Sequence, residues 1–301
     1  MKAFIPGLYP RSEALVQATR DLDRGRTTEE AVDKQVERDL GELVSVQQEA
    51  GVDLLADGML RWQDIFRPFV EAADGLDTGA LTRFLDTNTF YRAPSAPAET
   101  PKLGGPVGER YIAPLPGPRL VTLPSPFALA HGTGLTPNAI AKGVLKPHLE
   151  ALDAELVVLE EPFLAREEQV DLEGLGGALE TLAGGPRLAL WLTFGDARRA
   201  FDAGLADLPV DGIGVDFYAT KADAVPDGFD KLLLAGVLDA RSSAPEEPRE
   251  IAAFVAQLEG RGIGDVALVP NGDLQYVSEV VAREKVARLG KAMWATTEAA
   301  A

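Results

Sequence analysis

A rhythm constrains this chain more than any other feature. Short apolar runs rich in Val, Leu and Ile recur at 2–6, 53–57, 119–123, 155–160, 188–194, 212–217, 232–238 and 266–270. Most are followed by a stretch with helical spacing, at 12–23, 28–50, 60–73, 137–153, 172–182, 197–203, 247–261 and 278–293. Runs that are apolar on both faces belong to parallel strands covered by helices. Eight such units within 301 residues predict one closed (βα)8 TIM barrel spanning 1–301, an α/β fold. The rhythm breaks once. Residues 94–118 are rich in Pro and Gly, and a long β-hairpin or loop insertion is expected at about 76–118, after the second βα unit.

Local signals support the helices. Thr27 or Thr28 can cap the second, Glu30 suits its first turn, and Gly51 suits its left-handed end. Pro68 should interrupt or bend the helix at 60–73, and the tail from 295 onward should fray. No glycine-rich phosphate loop follows an early strand, which argues against a dinucleotide or P-loop fold.

Composition narrows the partners. The formal net charge of −18 disfavours nucleic acid and anionic membrane surfaces. No segment reads as a secretory leader or membrane span. The chain has no cysteine, so thiol nucleophiles, disulfides and thiolate zinc sites are excluded, and a reducing, cytoplasmic setting is expected. With two histidines as the nitrogen ligands, no metal site is assigned.

In a barrel, chemistry sits at the C-terminal strand ends. There the sequence offers Arg11 after strand one, Arg61 and Trp62 after strand two, and Glu160 with Glu161 after strand four. Asp216 and Tyr218 follow strand six, Asp239 and Arg241 strand seven, and Asn271 strand eight. Glu160, Glu161, Asp216 and Tyr218 are the candidate acid–base groups. Two adjacent buried carboxylates need relief, so one should face the mouth and the other pair with Arg241 or Arg61. Asp196 and Asp273 read as helix caps, His131 as a loop residue and His148 as a surface residue. Arg83, Asp86 and Asn88 form a polar cluster among aromatic residues, able to grip a carboxylate beside a stacked ring or simply to pack on the barrel wall.

Several motifs in order resemble the cobalamin-independent methionine synthases: Gly7-Leu8-Tyr9-Pro10-Arg11, Glu49-Ala50-Gly51, Arg83-Phe84-Leu85-Asp86-Thr87-Asn88, Glu160-Glu161-Pro162, Gly236-Val237-Leu238-Asp239-Ala240-Arg241 and Pro270-Asn271-Gly272-Asp273. That family consists of (βα)8 barrels. Its catalytic half holds zinc through His-x-Cys after strand five and a late Cys, where this chain has Thr193-Phe194-Gly195 and Asn271-Gly272. The opening-loop serine and the glutamate after strand two are replaced by Leu8 and Met59, and Glu160 retains a carboxylate for an amino group. The resemblance therefore implies the zinc-free N-terminal type of barrel, with 5-methyltetrahydrofolate carrying a polyglutamate tail as ligand, Arg83 on that tail, and a zinc-bearing catalytic partner chain. Two alternatives stay open: a zinc-independent methyltransferase or lyase on the same barrel, and a non-catalytic regulatory partner.

Overall fold

Seven of the eight apolar runs become strands of one parallel sheet. The computed structural model describes residues 1–97, 100–103, 107, 111–168, 170 and 172–300; part of the expected insertion and the last residue of the tail lie outside these. In chain order come β1 (Lys2–Ala3), α1 (Glu13–Asp23), α2 (Glu29–Ala50), α3 (Arg67–Ala72), β2 (Ala73–Asp74), β3 (Asp77–Arg83), β4 (Phe90–Ser95) and β5 (Lys102–Leu103). Then follow β6 (Leu120–Pro124), α4 (Pro126–Ala130), α5 (Pro137–Ile140), α6 (Lys146–Leu149), β7 (Leu156–Glu161), α7 (Glu173–Leu182) and β8 (Arg187–Leu192). The last are α8 (Arg198–Asp202), β9 (Gly212–Asp216), β10 (Leu232–Leu238), α9 (Pro248–Glu259), β11 (Val266–Pro270) and α10 (Glu279–Ala300).

The sheet runs β1-β11-β10-β9-β8-β7-β6. It curls until both edges meet the segment 53–55. Asp53 N–H donates to Ala3 O at 2.9 Å, Leu55 N–H to Pro118 O at 3.0 Å, and Leu120 N–H to Leu55 O at 3.0 Å. The expected strand at 53–57 is here one parallel bridge, Leu55 to Arg119. Asp53 supplies part of the reason: its carboxylate takes the Ala3 N–H at 2.8 Å, a donor that a regular ladder would use. Every residue of β6, β7, β9, β10 and β11 is buried, as strands covered on both faces require.

Caps and close contacts fix the helices around the sheet. Thr28 accepts the Ala31 N–H, and Gly51 ends α2 at φ 71°. The buried Gln47 side chain then clamps the following segment, donating to Ala56 O at 2.8 Å and accepting Ala56 N–H at 2.9 Å. At Gly290 a Cβ would overlap the Ala50 carbonyl, so α10 crosses the end of α2 backbone to backbone.

Three expectations need correction. The helix at 60–73 is confined to α3, because Asp64 accepts the Phe66 and Arg67 N–H groups at 2.9 Å and puts Pro68 in the first turn, where its missing N–H costs nothing. The helix at 137–153 ends at Leu149 and contains a π-turn over Ala141–Leu145, two residues before Pro147, which has no N–H to donate. The tail continues α10 through Ala300 rather than fraying from 295. Between α3 and β6, β3 and β4 pair as an antiparallel hairpin and β2 pairs with β5.

Candidate active site

The strand ends gather buried polar groups, several of them without partners. Glu160, next to last in β7, pairs with Trp191 of β8, and neither is exposed. Both Glu160 carboxylate oxygens, Trp191 Nε1, Thr193 Oγ1 and Asp216 Oδ2 are buried with no hydrogen-bond partner among the described residues. Native structures leave few such atoms, so a cluster at one barrel end is a candidate ligand site.

The opening loop forms one wall. Gly7 N–H donates to Thr122 Oγ1 at 2.9 Å and Leu8 N–H to Asp273 Oδ1 at 2.8 Å. Gly7 has φ 83°, and a Cβ there would overlap Asp273 and press on the Trp191 ring, so only glycine fits. Asp273 is therefore not a helix cap. It is a fully buried member of the mouth that the sequence reading misses, and its carboxyl is pushed up to about 7 by burial.

Glu160 is raised well above the ordinary range, first by burial, then by Asp273 and Glu161. Glu161 points elsewhere. It accepts from Ser125 Oγ and from the Phe163 and Leu164 N–H groups at 2.9 and 3.0 Å, and burial still raises it to about 7. Neither pairs with Arg61 or Arg241. Arg61 pairs with Asp33, and Arg241 lies 3.4 Å from Asp86. The relief for two dry carboxyls comes from the hydroxyl, the two amides and protonation instead of an arginine.

Asp216 Oδ1 accepts from Asn271 Nδ2 at 3.1 Å and from Tyr218 N–H at 2.9 Å, while Asn271 Oδ1 takes the Ala240 N–H at 2.8 Å. Burial raises the Asp216 carboxyl. Tyr218 leaves this group: its hydroxyl donates to Val237 O and Glu246 Oε1, both at 3.3 Å. Asp239 lies nearer Tyr218 than the mouth, its N–H bonded to the same Glu246.

The hairpin roofs the mouth. Phe84 stacks on Tyr276 at 6.3 Å and meets Tyr91 edge-on at 5.7 Å. Asp86 at its tip faces Arg166 and Arg241 at 3.6 and 3.4 Å. Arg83 is spent within the tip, donating to Asp86 O at 3.4 Å and Asn88 Oδ1 at 3.2 Å. Trp62 is buried and donates to Tyr111 O at 2.7 Å. His148 is buried rather than on the surface: α6 turns it inward, Nδ1 accepts the Val107 N–H, and burial lowers it to about 4.

A second polar region adjoins the roof. A cleft of about 310 Å³ is bordered by Arg11, Arg20, Arg67 and Arg92, with Asp23 and Asp64 also in its lining. Arg67 Nη1 pairs with Glu71 at 3.1 Å, while its Nε is buried without a partner among the described residues. Arg11 is lowered by burial and then by Arg20, an effect Asp39 opposes. A gap of about 30 Å³ beside Asp273 and Tyr276 shares Gln63, Asp64, Phe90 and Tyr91 with this cleft, so these four side chains stand between the arginines and the mouth.

The residues present do not fit a zinc ion of the thiolate kind. The chain has no cysteine, and the Phe194 ring lies where any Cβ on Gly272 would be, so the two candidate ligand positions pack on each other. Phe194 holds φ 53°, a conformation that costs a bulky residue energy and is kept here by that packing. His131 stacks on Phe163 at 4.2 Å, and His148 is buried against Phe69. No cluster of three metal-ligating side chains occurs among the described residues.

Comparison with known proteins agrees with this architecture. Residues 140–261 match the family described as cobalamin-independent synthase, N-terminal domain. A 5-methyltetrahydropteroyltriglutamate–homocysteine methyltransferase of Ralstonia pickettii (strain 12J) is 26% identical over 284 residues, 77% of this chain and 36% of the relative. A protein of the same name from Mycobacterium leprae (strain TN) is 29% identical over 184 residues, 54% of this chain and 24% of the relative. The chain thus spans about a quarter to a third of the length of the curated relatives it matches. A B12-independent methionine synthase from Shewanella sp. W3-18-1, solved with selenomethionine, shares the fold at a TM-score of 0.68, with 18% identity over 91% of this chain and 92% of that one. No described helix is long and apolar enough to cross a membrane.

Proposed function

We propose that this chain, methionine-synthase-like and of the cobalamin-independent family, binds a methylated folate with its heterocycle at the barrel mouth and its glutamate tail among the arginines. The names of the curated relatives carry such a triglutamylated methyl donor. The observation that carries the reading is the arginine cleft. Arg11, Arg20, Arg67 and Arg92 border one cleft, with Asp23 and Asp64 beside them, in a chain of net charge −18, and a string of carboxylates is a natural counterpart to the arginines.

The mouth suits the other end of that ligand. A pterin edge presents adjacent N–H donors, and Glu160, whose two buried oxygens are unbonded among the described residues, would accept from both on giving up its proton to the ligand. Phe84, Tyr91 and Tyr276 offer faces to an aromatic linker. The gap of about 30 Å³ is too small for a ring, so the β3–β4 hairpin must lift to admit one. Arg83, held by its own loop, then shapes the hairpin tip, and Arg11, Arg20, Arg67 and Arg92 take the tail. This reading treats the fold as a complete (βα)8 barrel, with 53–55 in the eighth place and 76–118 as the insertion.

Methyl transfer to a thiol requires a thiolate holder, which this chain lacks. A zinc-bearing partner chain is the proposed source, with this barrel presenting the donor. Direct binding tests the reading. Titration calorimetry should show saturable binding of 5-methyltetrahydrofolate triglutamate, weakened about tenfold or more by Glu160→Gln. Unaltered affinity in that variant would remove the heterocycle from the mouth.

A further inference from the structure

A second cavity, of about 360 Å³, lies outside the barrel mouth, between the ends of β9 and β10 and the start of α9. It lies within the size range of small-molecule sites. Its chemistry is the reverse of the arginine cleft. Asp239, Glu246, Glu247 and Glu250 line it, and no Lys, Arg or His among the described residues does. The opposite wall is apolar, with Phe254 of α9 meeting Phe217 edge-on at 4.8 Å beside Val237 and Ile251.

Glu246 is the feature that points to a ligand. Its side chain is 8% exposed, and Oε1 accepts from Lys285 Nζ at 2.6 Å, Asp239 N–H at 2.8 Å and the Tyr218 hydroxyl at 3.3 Å. Oε2 is buried and has no partner among the described residues. Glu246 lines the cavity, and its second oxygen is an acceptor awaiting a donor. Lys285 offsets Glu246 from behind, and Arg288 approaches Glu247 at 3.7 Å. Asp239 and Glu250 have no cationic partner among the ion pairs of the described residues, so the cavity keeps an excess of negative charge. The Tyr218 hydroxyl feels it: burial raises its pKa first, and Glu246 and Asp239 raise it further.

We propose that this cavity is a binding site for a small organic cation, an alkyl- or arylammonium whose charged end donates to Glu246 Oε2 and whose apolar end lies on Phe217 and Phe254. Carboxylates at one end and aromatic faces at the other are the two contacts that such a cation takes. The site is separate from the folate proposal and does not depend on it.

The probe is 2-phenylethylamine, titrated calorimetrically into the intact chain beside two controls of similar shape, neutral 3-phenylpropanol and anionic phenylacetate. One-to-one binding of the amine is expected, with neither control competing. Charge reversal by Glu250→Lys should weaken it about tenfold, whereas Glu180→Lys, on the distant α7, should leave it within about threefold. Ala244→Trp should fill the cavity and abolish binding while circular dichroism stays native. If that variant does not fold, the Glu250 and Glu180 pair decides alone. Absence of saturable binding, equal affinity for the alcohol, or equal effects of the two reversals would overturn the site.

Discussion

Glu160 shows how far a residue's meaning depends on what surrounds it. Its position at the end of an apolar run is readable in the sequence, because strand ends follow from hydrophobic pattern. That no arginine reaches it is not readable, because Arg61 and Arg241 are drawn to Asp33 and Asp86 by the arrangement of α2 and the hairpin. Asp273 is harder still: its partner Leu8 lies 265 residues away in the chain. The buried carboxyls make a pH prediction. Their folded pKa values lie above the unfolded ones, so the folded state holds more protons between about pH 4 and 7, and stability falls as pH rises through that window. Glu160→Gln mimics the protonated form. Thermal unfolding should place its Tm within about 2 °C of wild type at pH 5 and about 4 °C or more above it at pH 8. Equal values at both pH values would mean that Glu160 is not held dry. His148 carries the opposite sign. Burial lowers it to about 4, so it opposes folding as pH falls from about 6.5 toward 4, and its ring resonances should stay in the neutral position down to about pH 5. A midpoint near 6.5 in an NMR titration would contradict its burial.

At the scale of elements, the strands and the long helices are legible because their apolar spacing is decided locally. The hairpin is not. Strand β3 is almost wholly exposed or half-buried, so no alternation marks it, and its partner β4 contains Pro94. Its tip is held by aromatic stacking on Tyr276 more than by charge, since exposed ion pairs such as those of Asp86 contribute about 0–1 kcal/mol each. Asp86→Ala should therefore leave Tm nearly unchanged but speed amide hydrogen exchange across 84–90; unchanged exchange would show that the latch does not hold the roof. The crossing of α10 and α2 is a stricter contact. Gly290→Ala drives a methyl into the Ala50 carbonyl and should cost about 1–3 kcal/mol in denaturant unfolding, whereas a neutral result would mean that the helices part without strain.

For the whole molecule, two cavities of opposite lining charge sit on one strongly acidic chain, and the arginine cleft is the one that net charge alone conceals. Arg11 is prominent in the sequence because it ends a strand-end motif. Arg20, Arg67 and Arg92 lie on α1, α3 and β4, and only the docking of the hairpin against α1 and α3 brings all four together. Tail length is the direct test of what that cleft is for. Calorimetric titration with the monoglutamate and the triglutamate of 5-methyltetrahydrofolate, on wild type and on Arg20→Ala/Arg92→Ala, separates tail from heterocycle. The account predicts that the triglutamate binds about tenfold or more tightly than the monoglutamate in wild type, and that the double variant loses most of this difference. Equal affinities for the two ligands in wild type, or no binding of either, would contradict it.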